Sequence, residues 1–215
     1  MSSRRDALAA QTQSQRVLAL LDSLAKVAMA PASSQVLHEL AYLANVLAPV
    51  FDLEPLDAKL LKRRGGPYYP ELQHAIDALV GRGVVDAKSL RYEFDPEEKR
   101  YRIVAEYKLR RDIAAPALIR HRELFAPQVY FLDELAAAYA VLDDAFTGRA
   151  ARHDARYADR NVDVNNVIDF GEWVSVAKNF SRNAALAFAP SINLLPAERL
   201  YLYLDHLSRK VAHVG

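Results

Sequence analysis

Cysteine is absent from this 215-residue chain, which excludes disulfides, thiolate nucleophiles and cysteine-ligated zinc. Glycine is scarce, with seven residues in all, in keeping with helices joined by short, sharply punctuated turns. No uninterrupted apolar run reaches the roughly 18 residues that a bilayer span requires. The stretch through Gln11, Gln13, Ser14, Gln15 and Arg16 lacks the apolar block of a signal peptide. An excess of charge is lacking too: 28 Lys and Arg balance 27 Asp and Glu, a net +1. Nothing in bulk therefore draws the chain to nucleic acid or anionic lipid. These absences describe a cytoplasmic protein without a membrane partner. What is present is apolar: 52% of the residues are hydrophobic, enough for one sizeable domain or two small ones.

The periodicity of that apolar content is mostly helical. Residues 5–29 carry Leu8, Val17, Leu20, Leu21, Leu24 and Val27 near helical spacing, and Pro31 closes the segment because proline cannot continue the hydrogen-bond ladder. Ser33 or Ser34 is placed to cap a helix with Val36, Leu37, Leu40, Leu43, Ala44 and Leu47, which ends before Pro49. Leu56 to Leu61 reads as a short helix running into Lys62-Arg63-Arg64. Gly65-Gly66-Pro67 is the strongest turn signal in the chain. Pro70 opens the next helix, with Leu72, Ile76, Leu79 and Val80, and Gly81 and Gly83 offer its C-cap. Two runs of period two follow, Leu90-Tyr92-Phe94 and Tyr101-Ile103-Ala105, joined by Asp95-Pro96-Glu97-Glu98-Lys99; they read as half-buried strands of a hairpin.

Beyond Arg111 the period returns to helical. Pro116 to Glu123 is a short helix and Pro127 to Phe146 a long one, stopped at Thr147-Gly148. Arg149, Arg152, Arg156 and Arg160 recur at helical spacing, and 161–166 is a loop. Asp169-Phe170-Gly171-Glu172 resembles a capping box before Trp173, Val176, Ala177, Phe180 and Ala184. A last helix from Pro196 carries Leu200, Tyr203, Leu204, Leu207 and Val211. The expected fold is mostly α: an N-terminal helix (1–32), a winged-helix-like domain with a β-hairpin wing (33–111), and a helical domain (112–215). The stripes of the first and last helices are either packed on the core or kept for another chain.

No constellation in the sequence asks for catalysis. The six histidines, His38, His74, His121, His153, His206 and His213, form neither HExxH nor a His-x-His pair, so no metal site and no cofactor are expected. No GxSxG elbow occurs, and Gly65-Gly66 lacks the surroundings of a phosphate-binding loop. Asp143-Asp144 and Glu97-Glu98 read as solvated faces, and the chain as a non-enzyme. In a DNA-binding winged helix the helix before the hairpin would be the reading helix. Its polar positions include Glu71 and Asp77 beside Gln73, His74 and Arg82, and carboxylates repel phosphates. Arg149, Arg152, Arg156 and Arg160 are the candidates for nucleic-acid backbone contact within a larger complex.

Three runs carry a resemblance: Leu37-His38-Glu39-Leu40-Ala41-Tyr42-Leu43-Ala44, Lys62 to Leu72, and Ile76 to Val85. Together they resemble the helix, Gly-Pro turn and helix exit of SocA-like (Panacea) domains. They are similar also to the middle components of bacterial three-component ABC-ATPase systems, some from SMC-type anti-phage operons such as Lamassu. The resemblance spans residues 33–110; an extra glycine and Arg64 stand where the pattern has an aromatic residue. It implies a non-catalytic subunit that bridges or restrains an ATPase or effector nuclease, with a winged-helix regulator or antitoxin-like adaptor as the alternatives. Lys62, Arg63, Arg64, Tyr68 and Tyr69 form a cationic-aromatic group of the kind enriched in protein interfaces and are the candidate partner-binding residues.

Overall fold

Helix α2 (Ser34–Leu47) lies at the centre of the molecule and is buried from Val36 through Leu47. A helix buried on every side must be surrounded, and in this computed structural model its neighbours come from both ends of the chain. The structure describes residues 2–55, 59–63, 66–96, 99–142, 146–154, 157, 163–164, 166–169, 180–187 and 193–212. Among the described residues there are seven α-helices and two small antiparallel sheets. Helix α1 (Ser2–Lys26) precedes strand β1 (Ala32–Ser33) and α2. Strands β2 (Lys59–Arg63) and β3 (Gly66–Tyr68) lead into α3 (Pro70–Gly81), then β4 (Val85–Asp95) and β5 (Arg100–Leu109). Helices α4 (Arg111–Leu124) and α5 (Ala126–Ala140), strand β6 (Val167–Asp169), and helices α6 (Phe180–Ala187) and α7 (Pro196–Ala212) complete the order.

Local chemistry sets several of these boundaries. The Val36 N–H donates to Ser33 Oγ at 3.2 Å, which fixes the start of α2. Pro70 occupies the first turn of α3, where its missing N–H leaves no partner wanting. Gly83, at φ 68°, turns the chain out of α3. One cluster of buried side chains then joins Leu20, Leu24, Leu40, Leu43, Ile76, Leu135, Tyr139, Leu200, Tyr203 and Leu207. The stripes of both terminal helices are therefore packed on the core. They are not held for another chain.

Sheet order β1–β5–β4 pairs Ala32 with Tyr107 and Val85 with Leu109. Between Lys88 and Arg91 the register shifts, so that Ser89 and Leu90 oppose Ala105 alone, and Ser89 takes φ 51°. That bulge separates two halves of the hairpin. Below it Ala105, Tyr107 and Leu109 face the core. Above it Leu90, Tyr92, Phe94 and Tyr101 stand in solvent, 70, 75, 54 and 71% exposed. The two strands are thus half-buried only near their base, because the hairpin outruns the body beneath it.

Four further expectations change. Lys59–Arg63 is a strand rather than part of a helix, since β2 pairs with β3 and with β6, Lys59 opposite Asp169 and Leu61 opposite Val167. Helix α4 begins at Arg111 and carries Pro116 within it. Around Arg149 and Arg152 the chain forms only a short 3-10 turn, Ala150–His153, ended by extended backbone at Asp154, so these arginines do not start a helical ladder. Asp169 belongs to β6 rather than to a helix cap. Glu97-Glu98, Asp143-Asp144, Arg156, Arg160 and the 170–179 segment with Trp173 lie outside the described residues.

Candidate partner-binding groove

The β4–β5 hairpin, the first turn of α2, strand β3 and helix α3 enclose an open groove of about 850 Å³. Its floor is organised by His38. The Tyr69 N–H donates to His38 Nδ1 at 3.2 Å, and His38 Nε2 lies 3.2 Å from Gln73 Oε1. A ring nitrogen that accepts from a backbone N–H carries no proton, so Nε2 bears the hydrogen and donates to the Gln73 amide. Burial holds the His38 pKa down to about 4, aided by the nearby Arg63 charge and opposed by the Gln73 bond. Gln73 Nε2 passes the chain on, donating to Asp77 Oδ1 at 2.9 Å and to the Tyr107 hydroxyl at 3.3 Å. With both nitrogens engaged, His38 acts as a neutral fixed post joining α2 to β3 and α3.

At the mouth of the groove the Arg63 guanidinium lies over the Tyr68 ring, 3.7 Å from its centroid. The ring leans on His38 in turn, with centroids 4.9 Å apart. A half-buried cation–aromatic contact of this type contributes about 1 kcal/mol and fixes a rotamer-rich side chain. The Arg63 backbone is held as well: the Tyr157 hydroxyl accepts its N–H at 3.0 Å and donates to its carbonyl at 2.5 Å. Tyr157 is anchored on buried Asp154, whose Oδ1 accepts its N–H at 3.3 Å and the Tyr42 hydroxyl at 2.5 Å, while Oδ2 accepts from Tyr203. One carboxylate thus ties α2, Tyr157 and α7 together beneath β2.

No protein-family model, curated protein or solved structure matches this chain.

The sequence-derived group divides by strand alternation. Arg63 and Tyr68 are half-buried and line the groove. Lys62 and Tyr69 are only 8% and 1% exposed, so neither side chain is presented to a partner. Lys62 Nζ sits over the Tyr157 ring at 5.7 Å. The Tyr69 hydroxyl accepts from Asn45 Nδ2 at 2.8 Å, and Asn45 Oδ1 accepts from the guanidinium of Arg16 at 3.1 Å. Burial pushes the Tyr69 hydroxyl up and brings Arg16 down to about 10. Arg64 lies outside the described residues. Arg149 is exposed, and Arg152 is half-buried next to Glu39.

The sequence reading missed His38, Gln73, Asp77 and Tyr107 as one connected set. Their spacing does hold a trace of it: Gln73 and Asp77 are four apart on α3, and so share one face. Among the described residues no group of three or more His, Cys, Asp or Glu is placed to hold a metal ion. No helix among them is long and apolar enough to cross a membrane.

Proposed function

We propose that this chain is a non-catalytic protein-binding subunit of a bacterial multi-protein complex, of the anti-phage type built on an SMC- or ABC-type ATPase or an effector nuclease. The observation that carries the reading is the groove, with Arg63 laid on Tyr68 at its mouth and a preformed hydrogen-bonded floor. Rigid aromatic and arginine anchors beside a concave surface are what protein interfaces use for most of their affinity. The class of partner rests on the resemblance of residues 33–110; the surface rests on the groove. A winged-helix domain finds support in helix α3 running directly into the β4–β5 hairpin and in β1 completing the sheet β1–β5–β4; the strands β2 and β3 between α2 and α3 are an addition to that plan. Against a DNA-reading role, α3 exposes Glu71 and Asp77 beside His74 and Arg82, and carboxylates there repel phosphates.

The test is co-purification of the tagged chain with its operon-encoded neighbours. We expect a stoichiometric protein partner and no nuclease, hydrolase or nucleotidase turnover by the chain alone. Arg63→Glu combined with Tyr68→Ala is expected to weaken capture by about tenfold or more while the fold persists. Full retention of the partner by that variant at physiological salt would move the interface to the helical C-terminal half. A metal-dependent turnover that survives repurification and disappears with one histidine would end the non-enzyme reading.

A further inference from the structure

Strand β4 is the outer strand of its sheet: the order β1–β5–β4 leaves its far edge without a strand among the described residues. Past the bulge it runs in regular register from Arg91 to Asp95. Its apolar side chains there are the exposed Tyr92 and Phe94, with exposed Leu90 at the bulge just before them, and Phe94 meets Tyr101 edge to face at 5.3 Å. Four such side chains present on the order of 500 Å² of apolar surface, a patch of the size that commonly marks a functional surface. A long apolar edge of this kind adds another strand.

We propose that the added strand is β4 of a second copy, paired antiparallel about a twofold axis through Tyr92. The charge pattern selects both the occupant and the register. Antiparallel self-pairing sets residues of the same face opposite one another, so the axis passes through a residue rather than between two. With the axis on Tyr92, Arg91 faces the partner's Glu93, Glu93 faces the partner's Arg91, and Leu90 meets the partner's Phe94. An axis on Arg91 or Glu93 would oppose like charges, and one on Phe94 would set Glu93 against the partner's Asp95. Like charges directly opposite destabilise a strand pair, whereas opposite charges stabilise it. Within one chain Arg91 Nε already donates to Glu93 Oε1 at 2.7 Å. The pairing closes these groups into a ring of four alternating charges on one face, while Tyr92 and Phe94 of both copies cover each other on the other face. The product is one continuous six-stranded antiparallel sheet.

The chain has no cysteine, so Tyr92→Cys supplies a single thiol per copy at the axis. Under mild oxidation we expect a covalent dimer that forms about tenfold or more faster than from Leu195→Cys, an exposed position just before α7 and outside the β4–β5 hairpin. Sedimentation equilibrium of the full chain is expected to show a dimer. Arg91→Glu or Glu93→Arg alone should weaken it by about tenfold, and the combined Arg91→Glu/Glu93→Arg variant should restore it. A chain that stays monomeric up to about 1 mM overturns the proposal. So does a double variant as weak as the singles, or cross-linking at position 92 no faster than at 195. The cross-linking arm stands even where a charge variant fails to fold.

Discussion

The Tyr139 hydroxyl donates to Oε2 of Glu39, a residue 100 positions earlier in the chain. Glu39 is fully buried in α2, and its other oxygen accepts the Ala151 N–H at 2.7 Å. Tyr139 in turn accepts the Gly148 N–H at 2.8 Å. Desolvation outweighs these bonds and holds the Glu39 carboxyl up at about 7, against an ordinary 4.5.

A pH dependence follows from that shift and from its opposite at His38. Glu39 binds its proton more tightly in the folded state, so its contribution is fully present below pH 4.5 and is lost as pH rises to about 7. It amounts to roughly 3 kcal/mol. His38, held near 4 from an ordinary 6.5, contributes stability present above pH 6.5 that is lost as pH falls towards 4. The two slopes oppose each other between about 4.5 and 6.5, so these two contributions largely offset one another, and the native chain should fall between the two variants in its response to acidification across that window. Glu39→Gln is expected to make stability fall on acidification there, and His38→Gln to make it rise. Melting curves from pH 4.5 to 7.5 check this; parallel profiles for all three proteins would contradict it.

The turn before α3 gives a paired test. Gly66 holds φ 124°, and a Cβ built there meets nothing within 4 Å. The expense of a side chain at this position is therefore conformational alone, and Gly66→Ala should lower stability by about 1–3 kcal/mol. Gly81, in the last turn of α3, has an ordinary φ and equally open space. Gly81→Ala should raise stability by several tenths of a kcal/mol up to about 1. Denaturant melts that move both variants in the same direction would refute the argument.

Asp154 is the hub on which β2 ultimately rests. Its carboxylate accepts from Tyr42, Tyr203 and the Tyr157 N–H with no solvent exposure. Asp154→Ala strands buried donors on three segments and should lower stability by about 3 kcal/mol or more. Tyr203→Phe removes one donor and should lower it by about 1 kcal/mol. An Asp154→Ala protein melting within a degree of the native one would show that the hub is not needed.

What the sequence discloses follows the range of the interaction that sets it. The Ser33 cap, Pro70 at the start of α3 and the Gly83 exit are legible because the deciding groups lie within a few residues of one another. Strand β2 is not, because Lys59 finds its partner at Asp169; within 59–63 alone, nothing distinguishes it from a helix. Period two at Leu90-Tyr92-Phe94 reports a shared face, but not whether a body covers that face, and here the hairpin extends past the core. Composition alone marks the candidate group at 62–69, and only the pairing of β2 with β3 reveals that Arg63 and Tyr68 look outward while Lys62 and Tyr69 look in. The polar residues inside α2 resemble surface positions until their distant partners are in place: His38 with Gln73, Glu39 with Tyr139, Asn45 with Arg16.

The most direct test of the groove as the partner-facing surface is amide hydrogen exchange on the isolated chain and on the complex co-purified with its operon-encoded partner. Binding in the groove is expected to slow exchange at Gly66–Tyr68, around Gln73 and Asp77 in α3, and at the groove-lining hairpin residues Ala87, Val104, Ala105 and Tyr107, with α4 and α7 unchanged. Protection confined to α4, α5 and α7, with the groove exchanging as in the free chain, would contradict the account.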